Sequence, residues 1–167
     1  MSRDERAAPD AIRIVDAQEA DVPAILDLLY QLLDVVEDTD GMDRAKVSEN
    51  AGLLMSDPDS HILVAKSGDA VVGLINFTMR RTALHEGPSG LIDELVVARE
   101  HRGRGIGKML VSAAAERCRE LGCCEVEVST EKSNTRAREF YRECGFDQDA
   151  VLLELDLPGT ERPSPSV

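Results

Sequence analysis

The sequence predicts an α/β (α+β) fold in one domain, a mixed central sheet of about six to seven strands flanked by about four helices. Three observations predict it. Short apolar or alternating runs recur at 11–15, 62–65, 70–79, 91–97, 125–129 and 146–157, the pattern of strands. Between them, apolar residues return every three or four positions, the pattern of helices. The chain has 167 residues, 43% of them hydrophobic, with no internal repeat and no linker, which fits a single core.

The elements follow in the order β-α-α-β-β-β-α-β-α-β. Residues 1–10 are charged and small and read as a disordered N-terminus. Ala11 to Val15 reads as a strand. Asp21 caps a helix with Pro23 in its first turn, and Ile25, Leu28, Leu29, Leu32 and Leu33 carry it to about Val36. Residues 37–41 end it. A second helix covers about Asp43 to Met55. Ile62–Ala65 and Ala70–Met79 form a hairpin about Ser67-Gly68-Asp69. Leu91 to Val97 is the next strand, after a polar loop at 81–90. Ile106, Leu110, Ala113, Ala114 and Arg117 mark a helix that stops near Gly122. Glu125 to Ser129 alternates as a strand, Asn134 or Thr135 starts the last helix, and Phe146 to Leu157 carries the last strand. The domain is thus 11–157, and 158–167 is a Pro/Ser-rich tail expected to be disordered.

The formal net charge is −13. Such a chain lacks the phosphate attraction that drives binding to nucleic acid or an anionic membrane. No apolar stretch reaches membrane-spanning length, and the N-terminus has no apolar signal core, so a cytoplasmic protein is expected. The four cysteines have no metal-ligand spacing and the three histidines are far apart in sequence, so no metal is expected.

One segment opposes the overall charge. Residues 98–108 hold Arg99, Arg102, Arg104 and Lys108 against Glu100 alone. Gly103, Gly105 and Gly107 alternate with them, between a strand and a helix. Such a loop turns its backbone N–H groups toward one point, and the helix start adds a positive dipole end. The physical reading is a pyrophosphate site. A phosphate-binding NTPase loop needs glycine where Arg102 stands and Ser or Thr where Met109 stands. The dinucleotide spacing fails because the third glycine comes one residue early. The spacing that matches is Arg-x-x-Gly-x-Gly.

Downstream, Ala137, Phe140, Tyr141 and Cys144 share one helical face, and Phe146 follows. Together with the strand Leu91–Val97 and the loop Arg102–Gly107, the segment Asn134–Phe146 resembles the GNAT superfamily of N-acetyltransferases. The resemblance covers roughly 11–157 by element order and is sharp over 91–146.

The resemblance implies acetyl-CoA as co-substrate. Its pyrophosphate would be held by Arg102, Gly103, Arg104, Gly105, Ile106, Gly107 and Lys108. Its pantetheine would pair with the backbone at Leu95, Val96 and Val97, on a strand that commonly carries a bulge. Asn134 would contact the cofactor arm, and Tyr141 would contact the thioester and serve as general acid. An N–H near Val97 would stabilise the oxyanion. Glu94 is the first candidate base, read on the same face as Ile92 and Val96, followed by Asp93 and Glu127. Ser129 stands where family members acting on peptide N-termini often have Glu. The acceptor side would be built from residues 25–55 and 81–90. Asp34, Glu37, Asp38, Asp40 and Asp43 there point to a cationic amine, either a small molecule or a lysine side chain. Dimers are common in the family, so a homodimer is an expectation by analogy. The competing expectation is a non-catalytic acyl-CoA-binding regulatory module on the same fold.

Overall fold

The computed structural model describes residues 11–35, 42–155 and 157. The expected tails at 1–10 and 158–167, and the turn at 37–41, lie outside the described residues. The elements are β1 (Ile12–Asp16), α1 (Val22–Leu33), α2 (Arg44–Ser56), β2 (Ser60–Ser67), β3 (Ala70–Arg80), β4 (Ser89–Val97), α3 (Ile106–Glu120), β5 (Glu125–Val128) and α4 (Thr135–Glu143).

The strands form one sheet in the order β1-β2-β3-β4-β5. The first three pairings are antiparallel and β4–β5 is parallel, as the crossover through α3 requires. Strand alternation sends neighbouring residues to opposite faces. Val64, Leu74 and Val96 pack with Ile25 and Leu28 of α1, while Leu63, Ile75 and Phe77 pack with Ile106, Leu110 and Ala114 of α3. Full burial of side chains such as Leu74, Ile75 and Phe77 stabilises the fold by about 1.5–3 kcal/mol each. Polar clamps tie the edges to this core. Arg117 of α3 grips Asp16 of β1 through two nitrogens at 2.6 and 3.0 Å. Lys66 of β2 meets Asp21, before α1, at 2.7 Å.

The expected last strand over Phe146–Leu157 is not formed among the described residues, so the sheet has five strands rather than six or seven. Arg142 of α4 holds the chain just after the helix. It donates to the Asp147 carbonyl at 3.3 Å and to the Asp149 carboxylate at 2.7 Å. Beyond them Val151, Leu152, Leu153 and Leu155 are exposed.

Candidate active site

The site begins where β4 leaves β5. The β4–β5 pairing runs from Ser89↔Glu125 to Ile92↔Val128 and stops. On its other side β4 stays paired to β3 as far as Gly73↔Val97. That ladder breaks register at Asp93, because Asn76 faces Glu94 while Phe77 faces Ile92. Asp93 is the extra residue of a bulge, and a bulge bends and twists its strand.

The bulge corrects one expectation. Glu94 does not share a face with Ile92. Ile92 packs in the α3-side cluster, whereas Glu94 lines a cavity under α1 and α2, on the side of Val96. One inserted residue reverses the alternation, and spacing alone carries no sign of it.

The ladder also determines which backbone groups are free. Ala98 N–H donates to Val72 O at 2.9 Å. Antiparallel pairs alternate in bonding, so the main-chain groups of Glu94 and Val96 point to β3, and those of Leu95 and Val97 point to the open side. This open edge leads into the glycine loop. Gly103 and Gly105 adopt φ of +74° and +79°, the left-handed region that disfavours any side chain. Gly105 is the N-cap of α3, and Met109 N–H bonds back to its carbonyl at 3.1 Å. The amides of Ile106, Gly107 and Lys108 therefore have no intrahelical partner. Arg102 and Arg104 are exposed around them. Arg102 Nε donates to Val97 O at 3.0 Å, fastening the loop to the strand end. Lys108 is engaged with Glu143 of α4 at 2.7 Å.

Gly107 has a packing role. A Cβ there would lie 3.3 Å from the Phe140 ring, so the bare backbone lets α4 approach the start of α3. Phe140 in turn meets Tyr141 edge-on at 5.1 Å, and Tyr141 meets Phe146 at 5.5 Å. Tyr141 packs in the cluster that contains Leu95 and Val97, on the face opposite Glu94. Burial, with a smaller contribution from Cys144, pushes its phenol up to about 12. Asn134 caps α4, its Oδ1 accepting from Ala137 N–H at 3.0 Å. That leaves its side-chain amide nitrogen for any other contact.

Glu94 has a support that sequence reasoning missed. Asn76 of β3, only 2% exposed, donates from Nδ2 to Glu94 Oε2 at 2.7 Å. Its Oδ1 accepts from Ser60 Oγ of β2 at 3.1 Å. The signal was a lone Asn inside the buried run Val72–Phe77. Burial raises the Glu94 carboxyl above its ordinary value; the Asn76 bond opposes that rise, and neighbouring Asp93 adds to it. The other two carboxylates considered are engaged elsewhere. Asp93 is exposed and accepts from Thr78 Oγ1 at 2.7 Å, and Glu127 pairs with Arg80.

The cavity beside Glu94 has a volume of about 210 Å³ and lies between α1, α2 and the strands β2–β4. Among the acids expected to mark the acceptor side, Asp43 caps α2 through Lys46 N–H at 2.8 Å and Asp34 is exposed. Glu37, Asp38 and Asp40 lie outside the described residues.

The sheet thus splits beside a glycine-capped helix, with a carboxylate on one face and a phenol on the other. The chain belongs to the acetyltransferase (GNAT) family, whose profile matches residues 22–146. It is 36% identical over 92 residues to the aminoalkylphosphonate N-acetyltransferase of Salmonella typhimurium, covering 55% of this chain and 60% of that one. It is 31% identical over 152 residues to glucosamine 6-phosphate N-acetyltransferase 1 of Oryza sativa subsp. japonica, covering 87% of each. The match spans less than two thirds of the Salmonella relative and, at 65%, of N-alpha-acetyltransferase 30 from Schizosaccharomyces pombe. In fold it is similar to the aminoglycoside N-acetyltransferase AAC(6')-Iy solved in complex with CoA, with a TM-score of 0.78, 15% identity, and coverage of 91% of this chain and 98% of that one. Among the described residues, no helix is long and apolar enough to cross a membrane.

Proposed function

We propose that the protein is an acetyl-CoA-dependent N-acetyltransferase that acts on a primary amine by direct attack in a ternary complex. The observation that carries this reading is the open edge of β4 at Leu95 and Val97, running into the free amides at the start of α3. An extended amide-bearing arm fits an open strand edge as an added strand would, and a pyrophosphate fits a helix N-terminus flanked by Arg102 and Arg104. The CoA of AAC(6')-Iy, on the same fold, supports the assignment.

The reaction needs three proton movements. Glu94, held by Asn76, accepts one proton of the ammonium ion, directly or through a water. The neutral amine nitrogen then bonds to the acetyl carbonyl carbon and gives up its second proton to water. The Leu95–Val97 edge offers a backbone N–H to the carbonyl oxygen as charge develops on it. The carbon–sulfur bond breaks, the sulfur keeps the electron pair, and Tyr141 donates a proton to it. A phenol raised to about 12 is protonated throughout the physiological range, the state an acid needs. Asn134 contacts the cofactor arm through its free amide nitrogen. The experiment is thiol release from acetyl-CoA in the presence of amines, alongside stabilisation by acetyl-CoA alone. Stabilisation without release for every amine would favour a non-catalytic acyl-CoA-binding module, and the absence of both effects would overturn the reading.

A further inference from the structure

The cavity beside Glu94 is walled by Ile25 and Leu32 of α1, Val47 and Leu54 of α2, Ile62 of β2 and Leu74 of β3. Its polar lining is Asn50, Asn76 and Glu94, and Asn76 is already engaged on both sides by Ser60 and Glu94. Among the described residues, no lysine, arginine or histidine lines it. A phosphorylated amine entering here would lose its water without gaining a cation, and a polyhydroxylated one would find few polar partners beyond Asn50 and Glu94. The volume of about 210 Å³ exceeds the roughly 150 Å³ apolar cavity that accepts benzene.

We propose that this cavity is the acceptor subsite and that it selects a primary amine on an uncharged apolar body, an alkyl- or arylalkylamine, with the nitrogen directed at Glu94. The proposal rests on the acetyltransfer reading and narrows its acceptor. It separates this chain from two relatives named for acceptors that carry a phosphonate or a phosphate, groups that call for cations this cavity lacks. It also moves acceptor recognition from the acids at Asp34 and Asp43 to the apolar wall. Their negative charge is left to attract the cation without touching its body.

The test is a series of n-alkylamines from propyl to octyl, with phenethylamine, spermidine and 2-aminoethylphosphonate for comparison. Thiol release from acetyl-CoA gives kcat/KM, and calorimetry gives amine affinity for the protein alone. Both should rise about fourfold per methylene until the cavity is full. Phenethylamine should exceed spermidine and the phosphonate. Leu54→Gln should flatten the length dependence while leaving acetyl-CoA affinity unchanged. A flat series, or preference for spermidine or the phosphonate, would overturn the proposal. Length-dependent binding without thiol release from any amine would preserve the apolar subsite and overturn the acetyltransfer reading, so the two failures are distinct.

Discussion

Asn76 Nδ2 donates to Glu94 Oε2 at 2.7 Å, from β3 to β4, on the sheet face that α1 and α2 cover. The bond holds one rotamer of a partly buried carboxylate and partly offsets the loss of its water. Asn76→Ala removes that support. The Glu94 pKa should rise further, because the bond now lowers it. The acidic limb of the kcat/KM profile should therefore move to higher pH, with a loss of about tenfold or more at neutral pH. An unmoved limb would leave Asn76 as a packing residue only.

Glu94→Gln should separate activity from stability. Turnover at neutral pH should fall by about a hundredfold or more if Glu94 is the base. Stability should change in the opposite direction. Glu94 has a folded-state pKa above its unfolded value, so it favours the fold while protonated and loses that contribution as pH rises through the raised value. Glutamine removes the cost of the buried charge, so the melting temperature should rise at neutral pH by about 2–4 °C, the scale of ~1 kcal/mol in a domain of this size. The gain should shrink in acid. Thermal denaturation at two pH values checks the sign.

Tyr141→Phe keeps the ring contacts with Phe140 and Phe146 and deletes the hydroxyl. We expect kcat to fall by about a hundredfold, with little change in acetyl-CoA affinity or melting temperature. In the unaltered protein the phenol stays protonated until about pH 12, so its ionisation should produce no loss of rate between pH 7 and 10. A fall in cofactor affinity with unchanged kcat would assign Tyr141 to binding instead.

Gly90 is a pure packing prediction. A Cβ on β4 at this position would press into Cys118 Sγ, which α3 buries in the core. Gly90→Ala should cost about 1–3 kcal/mol. Cys118→Ala in the same chain should recover part of that loss, because the two residues contact each other and their effects are not additive. Simple additivity in denaturant titrations would sink the explanation.

Much of this architecture was legible from periodicity. The apolar stripe of Ile25, Leu28 and Leu32 and the stripe of Ile106, Leu110 and Ala114 each form a helical face, and each became a wall of the core. Of the helix starts, Asn134 caps α4 as its residue type suggests, whereas Asp21, expected to cap α1, stands at its start without a side-chain cap bond and pairs with Lys66 instead. The strand expected over Phe146–Leu157 rests on a local apolar run, and a local run does not supply a partner; among the described residues no such pairing forms.

By itself, the sequence determined the types of the elements that formed and the glycine loop. Helical and strand periods, caps and the left-handed needs of Gly103 and Gly105 are local properties of the chain. Tertiary structure decided what stands opposite what. Only the bulge at Asp93 places Glu94 under α1 and α2, and only the register of β3 brings Asn76 to it. Only the early end of the β4–β5 pairing leaves the Leu95–Val97 edge open. These are relations between residues far apart in the chain, set by one inserted residue and by strand register, and composition and spacing carry no direct trace of either.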